Sequence, residues 1–273
     1  MSTVSQSTAG ERTAGGRTAN EGAAGGKAVE AGRKPKIAEV TARAIGDRIV
    51  DQSLTEGATL PNERLMAEEF GVGRTTIREA LRLLETQGVI RIKPGPGGGP
   101  QVRRPRPDDL VGAMTLILQF LGATLDEVAV TREIIETAVT AMAAEHATPD
   151  DLAGLQQTID TMRANLTDDA VFYPQNDAFH AQLARACGNT VLLVIAETLE
   201  RMTANTSTEV EYPARTRARI ADAHQRIVDA LQDRDIRGAA DEADEHMGEF
   251  RRYARRHYPH LLNEPVRWTS NDR

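Results

Sequence analysis

A single cysteine, Cys187, occurs in the 273 residues. One thiol supports neither an intrachain disulfide nor a cysteine-based zinc cluster, which fits a reducing compartment and a small buried side chain. Lysine is nearly confined to the start: Lys27, Lys34, Lys36 and Lys93 all precede residue 94. No Schiff base with pyridoxal phosphate can therefore form in the C-terminal half. No run reaches the roughly 18 uncharged apolar residues of a membrane span. The opening MSTVSQSTAGERTAGG also lacks the apolar centre of a secretory signal. The expected location is the cytoplasm.

What the chain does contain is 40% apolar residues, enough for two modest cores. Its formal charge of −7 hides a division: residues 1–106 hold 17 Lys and Arg against 12 Asp and Glu, whereas residues 107–273 hold 16 against 28. Phosphate contacts depend on basic side chains, and an acidic surface repels a polyanion. A duplex is therefore expected to dock on the first part, and the second has a different partner.

Residues 1–34 are rich in Gly, Ala, Ser and Thr, bury too little apolar surface to offset the entropy of ordering, and are expected to form a disordered tail. Arg12, Arg17, Lys27, Arg33 and Lys34 there either stay solvated or brush phosphates without specificity. A compact module is expected over 35–104. Val40, Ala44, Ile45 and Ile49 recur at helical spacing within 37–52. Pro61 and Asn62 open a second helix over 63–70, with Leu65, Met66 and Phe70 on one face, and Gly71-Val72-Gly73 stops it. A third helix runs from Arg74 to about residue 87. Its Ile77, Leu81 and Leu84 point inward, and Arg74, Thr75, Thr76 and Arg78 occupy its exposed N-terminal end.

Two β-type runs, 89–93 and 101–104, flank the proline- and glycine-rich stretch 94–100 and read as a hairpin wing. An anion cradle is the alternative for that loop. Arg103-Arg104-Pro105-Arg106-Pro107 is a stiff basic connector, with the linker placed at 105–108. Beyond it, 3.6-residue periodicity or helix punctuation marks 109–121, 126–147, 149–166, 169–187, 190–208, 213–233 and 236–258, with no convincing strand. Thr148-Pro149-Asp150-Asp151 and Gly188-Asn189 are cap signals. The expected fold is mainly α: a winged helix-turn-helix of three helices plus a β-hairpin, then an all-α bundle over 109–258 and a C-terminal tail over 259–273.

Pro61-Asn62-Glu63-Arg64-Leu65, the run from Gly73 through Arg74-Thr75-Thr76-Ile77-Arg78 to Leu81, and Leu84-Glu85-Thr86-Gln87-Gly88-Val89-Ile90 together resemble the winged-helix signature of the GntR family. The resemblance implies a palindromic double-stranded DNA operator bound by a homodimer. It places Arg64, Arg74, Thr75, Thr76 and Arg78 on DNA-contacting positions, with the wing around Gly95 reaching the adjacent minor groove. Arg74 and Arg78 suit guanine O6 and N7, while Arg64 and Thr75 suit phosphate. The alternative is that these arginines pair with Glu63, Glu79 or Glu85. The wing departs from relatives with His or Arg at its tip, because here Pro94 and Pro96 flank Gly95.

Thr131-Arg132-Glu133-Ile134-Ile135-Glu136, Ala143-Ala144-Glu145, Phe179-His180 with Gly188-Asn189, and His224 with His246 resemble the FCD ligand-binding domain of the FadR-like subfamily over about residues 108–255. That resemblance implies a divalent metal such as Zn²⁺ or Ni²⁺ held by Asn176, His180, His224 and His246. Asn176 and His180, four apart, share one helix face, and neutral imidazoles suit such ions. A metal-free polar pocket lined by the same residues is the alternative. Asn offers less charge attraction than a carboxylate, and the neighbouring Asp177 points about 100° away around the helix. Arg132 implies an effector carboxylate held by two parallel hydrogen bonds, with an i,i+4 pair to Glu136 as the competing use. His146, His257 and His260 fit no pattern and are expected to face solvent.

The function expected is a ligand-responsive DNA-binding transcription regulator, repressing until a small organic acid binds, and not an enzyme. Two rivals come from other classes. One is a metal-dependent hydrolase-like enzyme carrying a DNA-binding module, for which no carboxylate is marked as general base. The other is a constitutive DNA-binding protein without effector, whose DNA affinity would ignore mutation of the three histidines.

Overall fold

The computed structural model describes residues 36–95, 97–207 and 210–267, with the backbone alone described at 204–207. The tail expected over 1–34, Pro96 in the wing and residues 268–273 lie outside the described residues.

Helix α1 (Ile37–Asp51) buries Ala42, Ile45 and Ile49 against α3 (Arg74–Thr86), whose Ile77, Ala80, Leu81 and Leu84 form a continuous inner stripe. Each buried Ile or Leu among them contributes roughly 1.5–3 kcal/mol by leaving water. Between them, α2 (Glu63–Phe70) begins at Asn62, whose Oδ1 accepts a hydrogen bond from the Leu65 N–H at 3.0 Å. It ends at Gly71, which has φ 65°, the left-handed conformation that closes a helix without a Cβ clash.

The wing is an antiparallel hairpin of β1 (Ile90–Lys93) and β2 (Gly99–Val102), with Ile90 opposite Val102 and Lys93 opposite Gly99. The second strand thus lies two residues earlier than periodicity places it, taking in Gly99 and Pro100 and leaving out Arg103 and Arg104. Tertiary pairing overrides their poor strand propensity: Leu60 N–H donates to the Pro100 carbonyl, and Val102 N–H to that of Ala58. Pro100 therefore sits on the edge that receives a donor and needs none of its own.

Helix α4 (Pro107–Leu121) starts inside the stretch expected as linker. Proline at the first helical position presets φ, and the Asp109 carboxylate accepts from the Arg106 N–H at 2.7 Å. The bundle continues with α5 (Leu125–His146), α6 (Pro149–Ala164), α7 (Asp169–Ala186), α8 (Thr190–Ser207), α9 (Ala214–Gln232) and α10 (Ile236–His257). Reciprocal capping boxes, Thr124 with Glu127 and Thr148 with Asp151, set the starts of α5 and α6. Helix α5 packs against α7, α8, α9 and α10, so its inward side chains reach the middle of the domain. The main core there comes from Val139, Leu155, Ile159, Phe172, Phe179, Leu183 and Ile227 among others.

The stretch after 258 is not a plain tail up to residue 267. Pro259 opens a short helix, α11 (Pro259–Leu262), and Leu261, Leu262 and Val266 are buried. Val266 N–H donates to the Ala123 carbonyl and Leu125 N–H to that of Glu264, fastening this segment over the start of α5.

Candidate functional site

The third helix presents Arg74, Thr75 and Arg78 to solvent, while Thr76 is half-buried, because Ile77 beside it is pulled fully into the core. No side chain caps α3 at Gly73, so its first N–H groups stay free. Arg74 and Thr75 make no side-chain hydrogen bond among the described residues. Arg64 pairs with Glu68 at 2.9 Å one turn on, and Arg78 is gripped by Glu63. Glu85 instead accepts from the Ile92 N–H at 2.9 Å and ties the wing to α3. Gly95 sits exposed at the wing tip with φ 95°, its carbonyl accepting from Gly98 N–H at 2.9 Å. The glycine run is thus consumed in closing a turn.

Inside the bundle, α7, α9 and α10 bring His180, His224 and His246 together, with one ligating atom from each within 4.8 Å of the others. All three are buried. His224 Nε2 and His246 Nε2 are 3.1 Å apart, and the His224 ring stacks on Phe179 at 3.8 Å. Burial, with the charges of the neighbouring imidazoles, pushes the His224 pKa well below the usual value and that of His246 down to about 3. Neutral imidazole is the form that ligates a metal. His224 Nδ1 is buried without a hydrogen-bond partner. Three clustered imidazoles and one orphaned nitrogen fit a divalent ion of the zinc or nickel type.

Behind His180 lies a carboxylate. Glu136 Oε2 is 3.3 Å from His180 Nδ1, and its Oε1 is 3.3 Å from Arg132 Nε. Burial alone would raise the Glu136 pKa, but His180 and then Arg132 outweigh it by charge and hydrogen bond and bring it to about 2. The i,i+4 pair between Arg132 and Glu136 therefore forms. Arg132 Nη1 donates to Thr203 Oγ1 at 3.2 Å, and Nη2 makes no hydrogen bond among the described residues. One further acid is close: Glu200 on α8 has Oε1 buried without a partner, and burial above all raises its pKa to about 7.

A cavity of about 290 Å³ opens beside this cluster, lined by Arg132, Asn176, His180 and His246. Asn176 thus borders the same space as two of the histidines, although its amide Nδ2 lies 3.5 Å from Asp177 Oδ1, and Asp177 lines the cavity too. Tyr173, Tyr212 and Tyr253 form an aromatic wall that no motif in the sequence marks. Four tyrosines occur in the whole chain, all in the second half, and that clustering was the available signal. Arg217 holds this wall. Its Nε donates to the Tyr212 carbonyl at 2.7 Å, Nη1 to that of Leu166 at 3.3 Å, and Nη2 lies 3.4 Å from the Tyr173 hydroxyl and 2.6 Å from Asp169. His146, His257 and His260 are exposed, but His257 packs on Tyr253 at 4.4 Å and borders the cavity mouth.

A winged helix-turn-helix followed by a helical domain built around a polar cavity defines a two-part winged-helix protein. Residues 37–98 match the family of bacterial regulatory proteins called gntR and residues 127–249 match the FCD domain; the chain belongs to the GntR family, with an FCD domain. Among its relatives is the HTH-type transcriptional repressor NanR of Edwardsiella tarda, 30% identical over 168 residues, which cover 59% of this chain and 63% of that protein. The NanR of Cronobacter sakazakii is 30% identical over 174 residues, 60% of this chain and 65% of that one. The match thus spans less than two thirds of either relative's length. The fold is similar to that of the Streptococcus agalactiae GntR structure, with a TM-score of 0.62 at 24% identity over 79% of this chain and 99% of that one. No helix among the described residues is long and apolar enough to cross a membrane.

Proposed function

We propose that this chain is a cytoplasmic, ligand-responsive transcription regulator, a repressor that leaves its operator when a small organic acid enters the bundle. The observation that carries the reading is the presence, in one chain, of an arginine-bearing third helix and a helical domain whose cavity is bordered by Arg132 and two members of a buried histidine cluster. Arg74 and Arg78 read bases in a major groove, Arg64 and Thr75 grip phosphate through charge and the free start of α3, Thr76 lies beside them, and Gly95 brings the wing backbone to the minor groove. His180, His224 and His246, with Asn176 at the cavity edge, hold a divalent metal, which supplies a positive anchor. Arg132 offers Nη2 to the acid's carboxylate, because its other nitrogens are committed to Glu136 and Thr203. The reading assigns no catalytic role.

The exposed face of α4, where Ile117, Phe120 and Leu121 are 61%, 84% and 76% exposed and Thr115 is the buried residue, supports a homodimer, which would place two winged modules on a palindromic site. Sedimentation that gives a monomer at micromolar concentration removes the dimer. The function is tested with a duplex enriched from a random pool by the wild-type chain. Arg74→Ala/Arg78→Ala protein is expected to lose its preference for that duplex over an unrelated one, and a carboxylate panel to release wild type but not Arg132→Ala. Retention of the preference by the double variant overturns the reading.

A further inference from the structure

The third helix does not offer all of its arginines bare. Arg74, Arg78 and Arg82 recur every four residues and line one side of α3. Glu63, the first residue of α2, is the acid set among them: its carboxyl lies below the usual range, chiefly through the hydrogen bond from Arg78, and the charges of Arg78, Arg74 and Arg82 add to it. Only Arg78 is gripped. Its Nε donates to Oε1 at 3.2 Å and its Nη2 to Oε2 at 2.8 Å, so the pair is bidentate. Asn62 caps α2 immediately before Glu63 and so sets the backbone from which this carboxylate projects.

A guanidinium has two forked edges. Glu63 occupies the side edge, made of Nε and one hydrogen of Nη2. The end edge, with Nη1 and the other Nη2 hydrogen, makes no hydrogen bond among the described residues and matches the paired acceptors of guanine. An arginine already held in one rotamer loses less freedom on docking. We infer that Glu63 is a positioning residue for DNA reading, clamping Arg78 by one edge so that the other meets a guanine in a fixed orientation. The inference rests on the DNA-binding reading above.

A second use of this carboxylate would act on charge alone. A lone anion beside the arginine stripe weakens contact with every phosphate backbone, so its removal would tighten all duplexes equally and steepen the salt dependence. A positioning role instead changes the preference for one sequence over another. Exposed pairs of this kind add little to folding, so the variants are expected to fold.

The full-length chain is measured against the enriched duplex and an unrelated duplex of equal length, over a salt series. Glu63→Ala is expected to lower the affinity ratio about tenfold. Glu63→Asp, which keeps the charge but not the reach, lowers the ratio with an unchanged salt slope. In an Arg78→Ala background, Glu63→Ala has no further effect on the ratio. Equal tightening of both duplexes by Glu63→Ala, or the same loss of ratio with and without Arg78, overturns the inference while leaving DNA binding intact. A wild-type chain that prefers no enriched duplex removes the DNA-binding reading, and the inference with it.

Discussion

Glu136 Oε2 stands 3.3 Å from His180 Nδ1, while the other oxygen of the same carboxylate faces Arg132. A carboxylate on Nδ1 favours the tautomer with its proton there and leaves the Nε2 lone pair for the histidine cluster. One anion on α5 therefore orients both a ligand candidate on α7 and the cation at the cavity wall.

Glu136→Gln is expected to weaken retention of Zn²⁺ by about 10–100-fold, the usual effect of losing an outer partner of a ligating histidine. Competition with a coloured chelator measures it. Unchanged retention would show that the carboxylate serves Arg132 alone.

Removal of metal is expected to destabilise the bundle. An ion held at a hundred times its Kd adds about 2.7 kcal/mol to the folded state. The melting temperature of wild type should then fall on dialysis against EDTA and recover with added Zn²⁺, whereas that of His224→Ala/His246→Ala should respond to neither. Equal responses from both proteins would count against the cluster as the site.

Glu200 gives a pH dependence with a defined sign. Its folded pKa, about 7, exceeds the ordinary 4.5, so the folded state binds the extra proton in between. Its contribution is full below about pH 4.5 and is lost as pH rises toward 7. Arg132 and Glu136 on α5 and Asp177 and His180 on α7 set the surrounding field. Glu200→Gln is expected to gain stability over wild type by roughly 1–3 kcal/mol between pH 5 and pH 8. Parallel denaturation curves across that range would refute the assignment.

Gly88 has φ 71°, and an added Cβ would strike the Asp109 carboxylate and the Arg103 guanidinium. Those two form a 2.6 Å pair across the junction of wing and α4. Gly88→Ala is therefore expected to cost more than about 1 kcal/mol, from the left-handed backbone as well as the displaced pair. Chemical denaturation measures the loss, and a neutral result would mean that the junction is soft.

Punctuation residues carried most of the legible fold. Asn62, Gly71, Pro149 and Gly188 mark their boundaries because each meets a local backbone need. The second wing strand lies earlier than its pattern suggests because Pro100 and Val102 are held by residues 57–60, some forty positions earlier. The short α11 was missed because its burial depends on contacts with α5 and α10 rather than on its own pattern. At the site, the three histidines are legible through family spacing, while the sequence marks Glu136 only as a rival partner for Arg132. Glu200 and Thr203 belong to no motif in the sequence. Both share the buried face of α8 with Ala196, Leu199 and Met202, and a charged residue on that apolar stripe was the overlooked signal.

Arg217 joins the carbonyls of Leu166 and Tyr212, the Tyr173 hydroxyl and Asp169 through one planar group. A guest that widens the gap between the two phenols must drag the end of α6, the head of α7 and the entry to α9 with it. That side of the chamber yields as a block or stays put, so graded swelling to fit guests of different girth is denied to it.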